Sequence, residues 1–565
     1  MDDETFTSYS RHPDHFGWNI VHTTFMVLAW CFALPVAIML SMAGSRYRLR
    51  AQVVFHGLNG LGILTGIVYD ASTPDLYPHD SHRGMGWTVV SLAVVWTMLS
   101  IYTAYGNARS IPALGREEFQ TCQRRAAYRD YYHAVSRVCS TDFSREPPSP
   151  TNQQPAEDAM NGEDSYPHDD HGSEPDERRW LNKEHNIRIQ RFLSLRTDSA
   201  LRTTAIVRIS QVVLEKLLLP LGFTTLTSGF IVCGGLFRKE EMLNGLAHMI
   251  KGGIFFWYGI LTLGRWIGAF AEVGWAWNIR PSPPPQQQQQ GLRTGVLRWK
   301  EKVPSAEFVE SLVIWLYGAS NVFLEHLSGW GGEWTARDLE HVSITLLFFG
   351  GGMLGMLVES KWVPPALEAT VEEIPRDGEG IERLKTPAYF DAGVRRDAAA
   401  EHQVHERHRE TQRRIPLNPM PALTIMLLGS MMGAHHQASE VSTKLHAQWG
   451  KLFIAFALLR GVTYITLYLK PPTSCLPSRP PTEIVTSFCL CAGGVVLMTS
   501  ASEVVETIEA NGLDASAVSM ACMGLASVIL AWEIVVWGIK GWAARKEREG
   551  EAGDRLLHSA SSQSV

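Results

Sequence analysis

The chain has 565 residues, 45% of them hydrophobic and 19% charged, with a formal net charge of −6. That balance lacks the strongly basic character of a nucleic-acid binder and indicates no acidic partner either. Its average composition would fit a soluble protein, but the apolar residues are segregated into long blocks, and a bilayer core about 30 Å thick is crossed by roughly 20 such residues in a helix.

The first fifteen residues are polar and acidic, with no basic region ahead of the first apolar run. No cleavable signal peptide is therefore expected, and the first span serves as a signal-anchor. Apolar blocks predict spans at roughly 19–43, 52–70, 82–105, 212–236, 246–270, 308–327, 339–358, 420–436, 449–469, 484–502 and 517–539. The expected fold is all-α: a polytopic helical membrane protein of about eleven transmembrane helices, with the lipid bilayer as its surroundings. Its expected organisation is an outer segment 1–18, a three-span segment 19–105, a hydrophilic loop 106–205, an eight-span domain 206–545 and a tail 546–565. Residues 278–306 and 360–418 read as insertions within the eight-span domain.

Basic residues near span ends give the direction. Arg46, Arg48 and Arg50 mark the first connection as cytoplasmic, whereas the second, from Asp70 to Asp80, is acidic and outer. Arg109, Arg116, Arg124 and Arg125 open the long loop, and Arg188, Arg191, Arg196 and Arg202 close it, so it is inner. The basic 278–306 connection, the mixed-charge 360–418 connection and the Arg-Lys-rich tail fall on the same side. One assignment satisfies all of them: N-terminus out, C-terminus in. Residues 146–180, rich in Pro, Asp, Glu and Ser, and the proline–glutamine run at 281–290 predict disorder rather than a soluble domain. The eight cysteines lie in spans or inner segments, which argues against a disulfide framework.

With that topology, His22, His82, His248, His326, His341, His435, His436 and His446 all approach the outer ends of spans, and His56 alone lies near an inner end. A histidine at a helix end commonly caps it or faces water. Polar side chains at membrane depth are nonetheless costly and often functional. His22 and His82 occupy similar depths on the first and third spans, the arrangement that six-coordinate haem iron requires of two imidazoles. After the eighth span, His435-His436-Gln-Ala-Ser-Glu440 leads on to His446. One straight helix would set His435 and His446 roughly 16 Å apart, whereas a turn would bring them together. With His326, His341, His436 and either Glu325 or Glu440, they are candidate ligands for Zn, Cu or Fe.

Charged residues inside spans are expected to be paired. Arg460 and Glu533 are the expected partners, with Lys251, Arg265 and Glu272 snorkelling toward the span ends. Gly62-x-x-x-Gly66 and Gly351-x-x-x-Gly355 predict close helix contacts.

The segment His22-Thr-Thr-Phe-Met-Val-Leu-Ala-Trp30 with Leu34-Pro35, Phe55-His56 and His82-x-x-x-Gly86 resembles the ascorbate-type transmembrane b-cytochromes. That resemblance implies one b-type haem shared by His22 and His82. A second haem would need a partner for His56, and residues 206–236 contain no histidine. Further motifs are Gly245-Leu-Ala-His-Met-Ile-Lys-Gly-Gly, Asn321-Val-Phe-Leu-Glu-His326, Asp338-Leu-Glu-His341, Gln448-Trp-Gly450 and Tyr468-Leu-Lys-Pro-Pro-Thr. Together with Ser45-Arg-Tyr47 and Thr73-Pro-Asp-Leu-Tyr-Pro78, they resemble the fungal Ytp family of multi-span membrane proteins, a match that reaches nearly every span. The expected function is haem- or metal-dependent electron transfer or metal reduction at the outer face. The alternatives are a transporter or metal-handling protein, and a structural or assembly protein of the membrane. The sequence presents no nucleophile–base set, phosphate-binding loop or Cys-rich zinc site.

Overall fold

A computed structural model of the chain describes residues 8–10, 15–109, 176–238, 242–280, 303–325, 336–369, 417–434 and 436–562. His326 and His435 lie outside the described residues, as do the side chains of His341 and Glu325 and most of the polar loops. Each of the eleven expected spans falls on a helix: α1 (Phe16–Met42), α2 (Arg48–Ser72), α3 (His82–Arg109), α4 (Asp176–Gly234), α5 (Met242–Ile267), α6 (Ala306–Glu325), α7 (Ala336–Glu359), α8 (Met420–Ala434), α9 (Glu440–Leu469), α10 (Thr482–Thr499) and α11 (Ala515–Ser562). Among the described residues nine of these are long and apolar enough to cross a membrane; α6 and the 15-residue α8 complete the set. No strand occurs among the described residues. The protein is an all-helical, multi-pass membrane protein.

The first span is not a uniform helix. Residues Leu28–Ala33 widen into a π-helical stretch just ahead of Pro35. Proline has no N–H to give the carbonyl of Cys31 one turn earlier. Trp532 of α11 supplies the missing donor, its Nε1 lying 2.9 Å from that oxygen. This hydrogen bond therefore joins the first span to the last at the π-helical stretch.

Trp30, Leu34 and Ile38 of α1 pack with Phe55 of α2, Trp96 of α3 and Leu218 of α4, so the N-terminal core has four helices. Glu215, early in α4, is buried there. Its Oε1 accepts from Ser41 (2.6 Å), Gln211 (3.2 Å) and Trp96 (3.3 Å). Three donors on one oxygen explain how a carboxylate is tolerated inside this core.

The C-terminal core is built on Trp449, Phe453 and Phe456 of α9, Ile425 of α8 and Leu490 and Val496 of α10. Among the nine described helices long and apolar enough to cross a membrane, α10 is the most enclosed. It lies against α5 at backbone distance: a Cβ on Gly252 would sit 2.5 Å from the Gly494 carbonyl oxygen, and one on Gly494 2.6 Å from that of Gly252. The two expected glycine pairs also mark contacts. Gly62 and Gly66 meet Met26 and His22 of α1, and Gly351 and Gly355 meet Thr424 and Ser311.

At one end of the bundle the amide of Ser10 donates to the Cys233 carbonyl (2.9 Å), Tyr77 Oη donates to that of Leu236 (2.8 Å), and the amide of Phe237 donates to Glu503. This is the end at which α1, α3, α5 and α9 begin, and it carries His22, His82, His248 and His446. At the opposite end the Arg46 amide donates to Glu547 (3.0 Å), and Asn278 Nδ2 donates to the Cys475 carbonyl (2.8 Å).

Candidate functional site

Three arrangements place chemistry inside this frame. In the first, His22 Nδ1 lies 2.7 Å from the Gly62 carbonyl oxygen. A carbonyl only accepts, so Nδ1 carries the proton and Nε2 the lone pair. His82 Nδ1 lies 2.9 Å from Ser228 Oγ, whose single hydrogen goes to the Thr225 carbonyl at 2.7 Å. Ser228 must then accept from His82, which fixes the same tautomer. Each ring rests in a glycine notch. A Cβ on Gly66 would lie 2.7 Å from His22 Nδ1, and one on Gly229 would lie 2.9 Å from His82 Cε1. The two imidazoles are within electrostatic reach of each other. A cavity of about 410 Å³ opens at the same end, lined by Asn19, Thr23 and Val27 of α1 and by Cys233 of α4, and by neither histidine. Each imidazole has Nδ1 held by a second group, which leaves Nε2 unprotonated, the form that haem iron takes as a ligand, and His22 packs against α2 while His82 packs against α4. His56, near the other end, pairs its Nε2 with Thr97 Oγ1 at 2.8 Å.

The second arrangement involves the outer-loop histidines. The chain turns between His436 and Glu440 rather than continuing as helix, because Ser439 caps α9 by accepting the Ser442 amide at 3.0 Å. His436 is exposed, whereas His446 is 4% exposed and gives Nδ1 to the Ser442 carbonyl at 2.9 Å. Its ring neighbour is His248 of α5, at a centroid separation of 6.3 Å, and His248 likewise gives Nδ1 to the carbonyl of Asn244 at 3.0 Å. His248 was absent from the metal set expected from sequence. Only its depth pointed to it, since nothing local reveals that α5 and α9 adjoin. Among the described residues no group of three or more metal-ligating side chains is assembled.

The third arrangement corrects an expectation. Arg460 does not pair with Glu533. Its Nε lies 3.0 Å from Glu483 Oε1 of α10, and its Nη1 lies 3.5 Å from Glu310 Oε2 of α6. Glu533 faces Gly264 on another side of α5, and its Oε2 is buried without a hydrogen bond. Arg265 does not snorkel either, being 1% exposed. Its Nη2 and Nη1 bind Glu307 and Glu310, each at 2.7 Å, and its Nε donates to the Trp275 carbonyl at 2.8 Å. Both guanidiniums lie over the Trp277 ring, at 3.9 Å for Arg265 and 5.1 Å for Arg460. Trp277 has φ 54°, a costly conformation for a bulky residue, held by the Asn278 side chain through bonds to Ala271 (2.9 Å) and Cys475 (2.8 Å). Five charges from α5, α6, α9 and α10 thus meet under one indole. Sequence reasoning missed Glu307, Glu310 and Glu483 because each lies in the first turns of its helix, where a carboxylate reads as a surface residue.

The comparisons with known proteins agree with the membrane fold. Residues 221–541 match the family model described as "Protein YTP1-like, C-terminal", and residues 3–106 match a domain of unknown function, DUF2427. The chain is 33% identical over 519 residues to the uncharacterized membrane protein C3B8.06 of Schizosaccharomyces pombe, covering 90% of both chains. It is 36% identical over 331 residues to the uncharacterized membrane protein YCR061W of Saccharomyces cerevisiae, covering 58% of this chain and 48% of that one. Protein YTP1 of the same yeast is 22% identical over 305 residues, covering 53% of this chain and 48% of its own length. No solved structure matches. The extent of these matches, across the spans of both cores, shows that the chain belongs to the fungal YTP1-like family of multi-pass membrane proteins.

Proposed function

We propose that the N-terminal four-helix core binds one b-type haem through Nε2 of His22 and of His82, and that the protein transfers electrons or reduces a metal ion at that end. The observation that carries this reading is proton placement. The Gly62 carbonyl and the Ser228 hydroxyl hold both imidazoles in the tautomer that presents Nε2. When bound, such a group supplies reversible one-electron exchange. The chain's part is to orient the rings and to let Gly66 and Gly229 seat them close to their neighbouring helices. This reading takes the bundle as eleven spans with the histidine end outside, the N-terminus out and the C-terminus in, following the basic-residue bias.

Full-length protein purified after expression with haem supply is expected to show a Soret band that shifts on reduction, and His82→Ala is expected to lose it. A preparation without that band, or a His82→Ala variant retaining full haem, overturns the reading. A C-terminal tag is expected to be reached by antibody only after permeabilisation, and labelling of intact cells would reverse the orientation.

A second reading, metal handling at the same end, rests on the packed pair His248 and His446. In it they anchor Zn, Cu or Fe together with one of the candidate ligands read from the sequence, His326, His341, His435 or His436. Metal analysis of the purified protein should then show one bound ion per chain that His446→Ala removes, and equal metal content in both forms rejects it.

A further inference from the structure

We propose that the turn between α1 and α2, together with α11, forms a binding site for the headgroup of an anionic phospholipid. The turn runs from Ala43 to Tyr47, between the end of one span and the start of the next. Side chains pin it to α11. Ser45 Oγ and the Arg46 amide donate to Glu547 Oε1, at 3.4 and 3.0 Å, and the Tyr47 ring stacks on that of Trp542 at a centroid separation of 6.2 Å. This docking draws cations from both elements around one ring. The guanidinium carbons of Arg46 and Arg50 lie 5.1 and 5.6 Å from the Tyr47 centroid. Lys546 Nζ lies 5.8 Å from that centroid and 5.1 Å from the centroid of Trp542.

Arg46, Arg50 and Lys546 form no ion pair among the described residues. Glu547, the carboxylate against them, already accepts the donors of the turn on Oε1. The Tyr47 hydroxyl, outside the spans, is held below its usual value near 10, first by the Arg46 side chain and then by the Lys546 charge, so the potential at its oxygen is positive. Arg48 is offset by Glu215 and Glu547, which lie within its electrostatic reach. Helix α11 adds Lys540, Arg545 and Arg548 at this end, against Glu549. An anion presenting several oxygens complements such a set. Depth makes that anion a lipid. Tyr47 and Trp542 are rings of the kind that mark the membrane–water boundary. The cations also adjoin lipid-facing surface: Val53 and Val54 follow Arg50 by one turn of α2, Val535 precedes Trp542 by two turns of α11, and all three are exposed. A soluble phosphate would leave that apolar bed unused. In the orientation proposed above, this end faces the leaflet in which anionic lipids concentrate.

The test titrates full-length protein in neutral detergent with phosphatidylserine, phosphatidylcholine or the soluble headgroup glycerophosphoserine, and counts bound molecules by native mass spectrometry. Phosphatidylserine is expected to be retained in preference to phosphatidylcholine, and glycerophosphoserine at matched concentration is expected not to bind. The Arg46→Gln/Lys546→Gln double variant is expected to bind phosphatidylserine about 30-fold more weakly, the worth of two charges at a membrane surface. Lys444→Gln, at the opposite end of the bundle in an exposed pair with Glu440, is expected to bind it as the wild type does. Arg46 and Lys546 are exposed, so the melting midpoint without lipid should stay at the wild-type value. If the double variant melts lower, Arg50→Gln decides instead, with binding expected to weaken about fivefold. Unchanged phosphatidylserine affinity in the deciding variant, equal wild-type affinity for phosphatidylcholine, or binding of glycerophosphoserine would each overturn the proposal. Haem and metal content do not enter this readout, so its failure is distinct from a failure of those readings.

Discussion

The indole of Trp532 donates to the carbonyl oxygen of Cys31, the oxygen that Pro35 deprives of its helical donor. Trp532→Phe leaves that oxygen unsatisfied and is expected to cost about 0.6–1.7 kcal/mol, the range of hydrogen bonds between helices in membranes. Pro35→Ala returns a backbone N–H, so the tryptophan should matter less in that background. A double-variant cycle on detergent unfolding checks this, and strictly additive losses would show that the two residues are not coupled.

Arg265 holds two buried carboxylates with its forked donors. Arg265→Ala strands both, and breaking a buried pair costs about 3–5 kcal/mol. Arg265→Lys should rescue little, because a single ammonium cannot span Glu307, Glu310 and the Trp275 carbonyl in one plane. Fluorescence-detected size-exclusion of a fusion protein is expected to show loss of the monodisperse peak for both.

Glycine substitutions separate close helix contact from simple chain stiffness. Gly252→Ala drives a methyl into the α10 backbone and is expected to cost about 1–3 kcal/mol. Gly57→Ala on α2 meets nothing within 4 Å and should be neutral or stabilising by up to about 1 kcal/mol. Melting midpoints of the two variants should move in opposite directions or, at the least, differ clearly.

Ser228 is a positioning residue in the haem reading. Ser228→Ala removes the acceptor that fixes the His82 tautomer and is expected to weaken haem retention about 10–100-fold, as for other groups that hold a ligand in place. Haem titration of the apoprotein measures it. A melting midpoint that falls while haem affinity stays constant would mean a structural role alone.

Burial pushes the Tyr77 hydroxyl above its usual value near 10, with Arg238 opposing the shift and Glu503 and Asp80 reinforcing it. The neutral phenol is the form that donates to Leu236 and Phe237. A raised value means that its contribution is intact below pH 10 and falls away as pH rises through the folded-state value. Protease cutting near residue 240 should therefore increase above pH 10 in the wild type. Tyr77→Phe should be cut readily at neutral pH and show less further change with alkali.

The helices were legible because apolar block length is a one-dimensional property, and all eleven blocks from 19–43 to 517–539 fall on helices. The depth of His22 and His82 was legible for the same reason. Which residues meet across helices was not. Arg460 and Glu533 looked like partners because both lie deep in apolar runs, yet their helices present them to different neighbours. The partners of Arg460 lie near helix starts, where hydropathy gives a carboxylate no special weight. His248 and His446 are 198 positions apart in the numbering and touch only because α5 and α9 adjoin. The tautomer of His82 depends on Ser228, on a helix separated from it by a long polar loop.

The enclosure of α10 also has a consequence for timing. This helix is tenth of the eleven to leave the ribosome, yet Gly252 of α5 and Phe453 of α9 are shaped to fit Gly494 and Gly493 on it. Earlier segments must wait in the bilayer with those faces covered by lipid or by a chaperone. A product terminated before Thr482 would keep most of its membrane segments but lack the helix around which they close. Pulse-labelled truncations ending there should be degraded rapidly, whereas chains extended past Ala515 should survive.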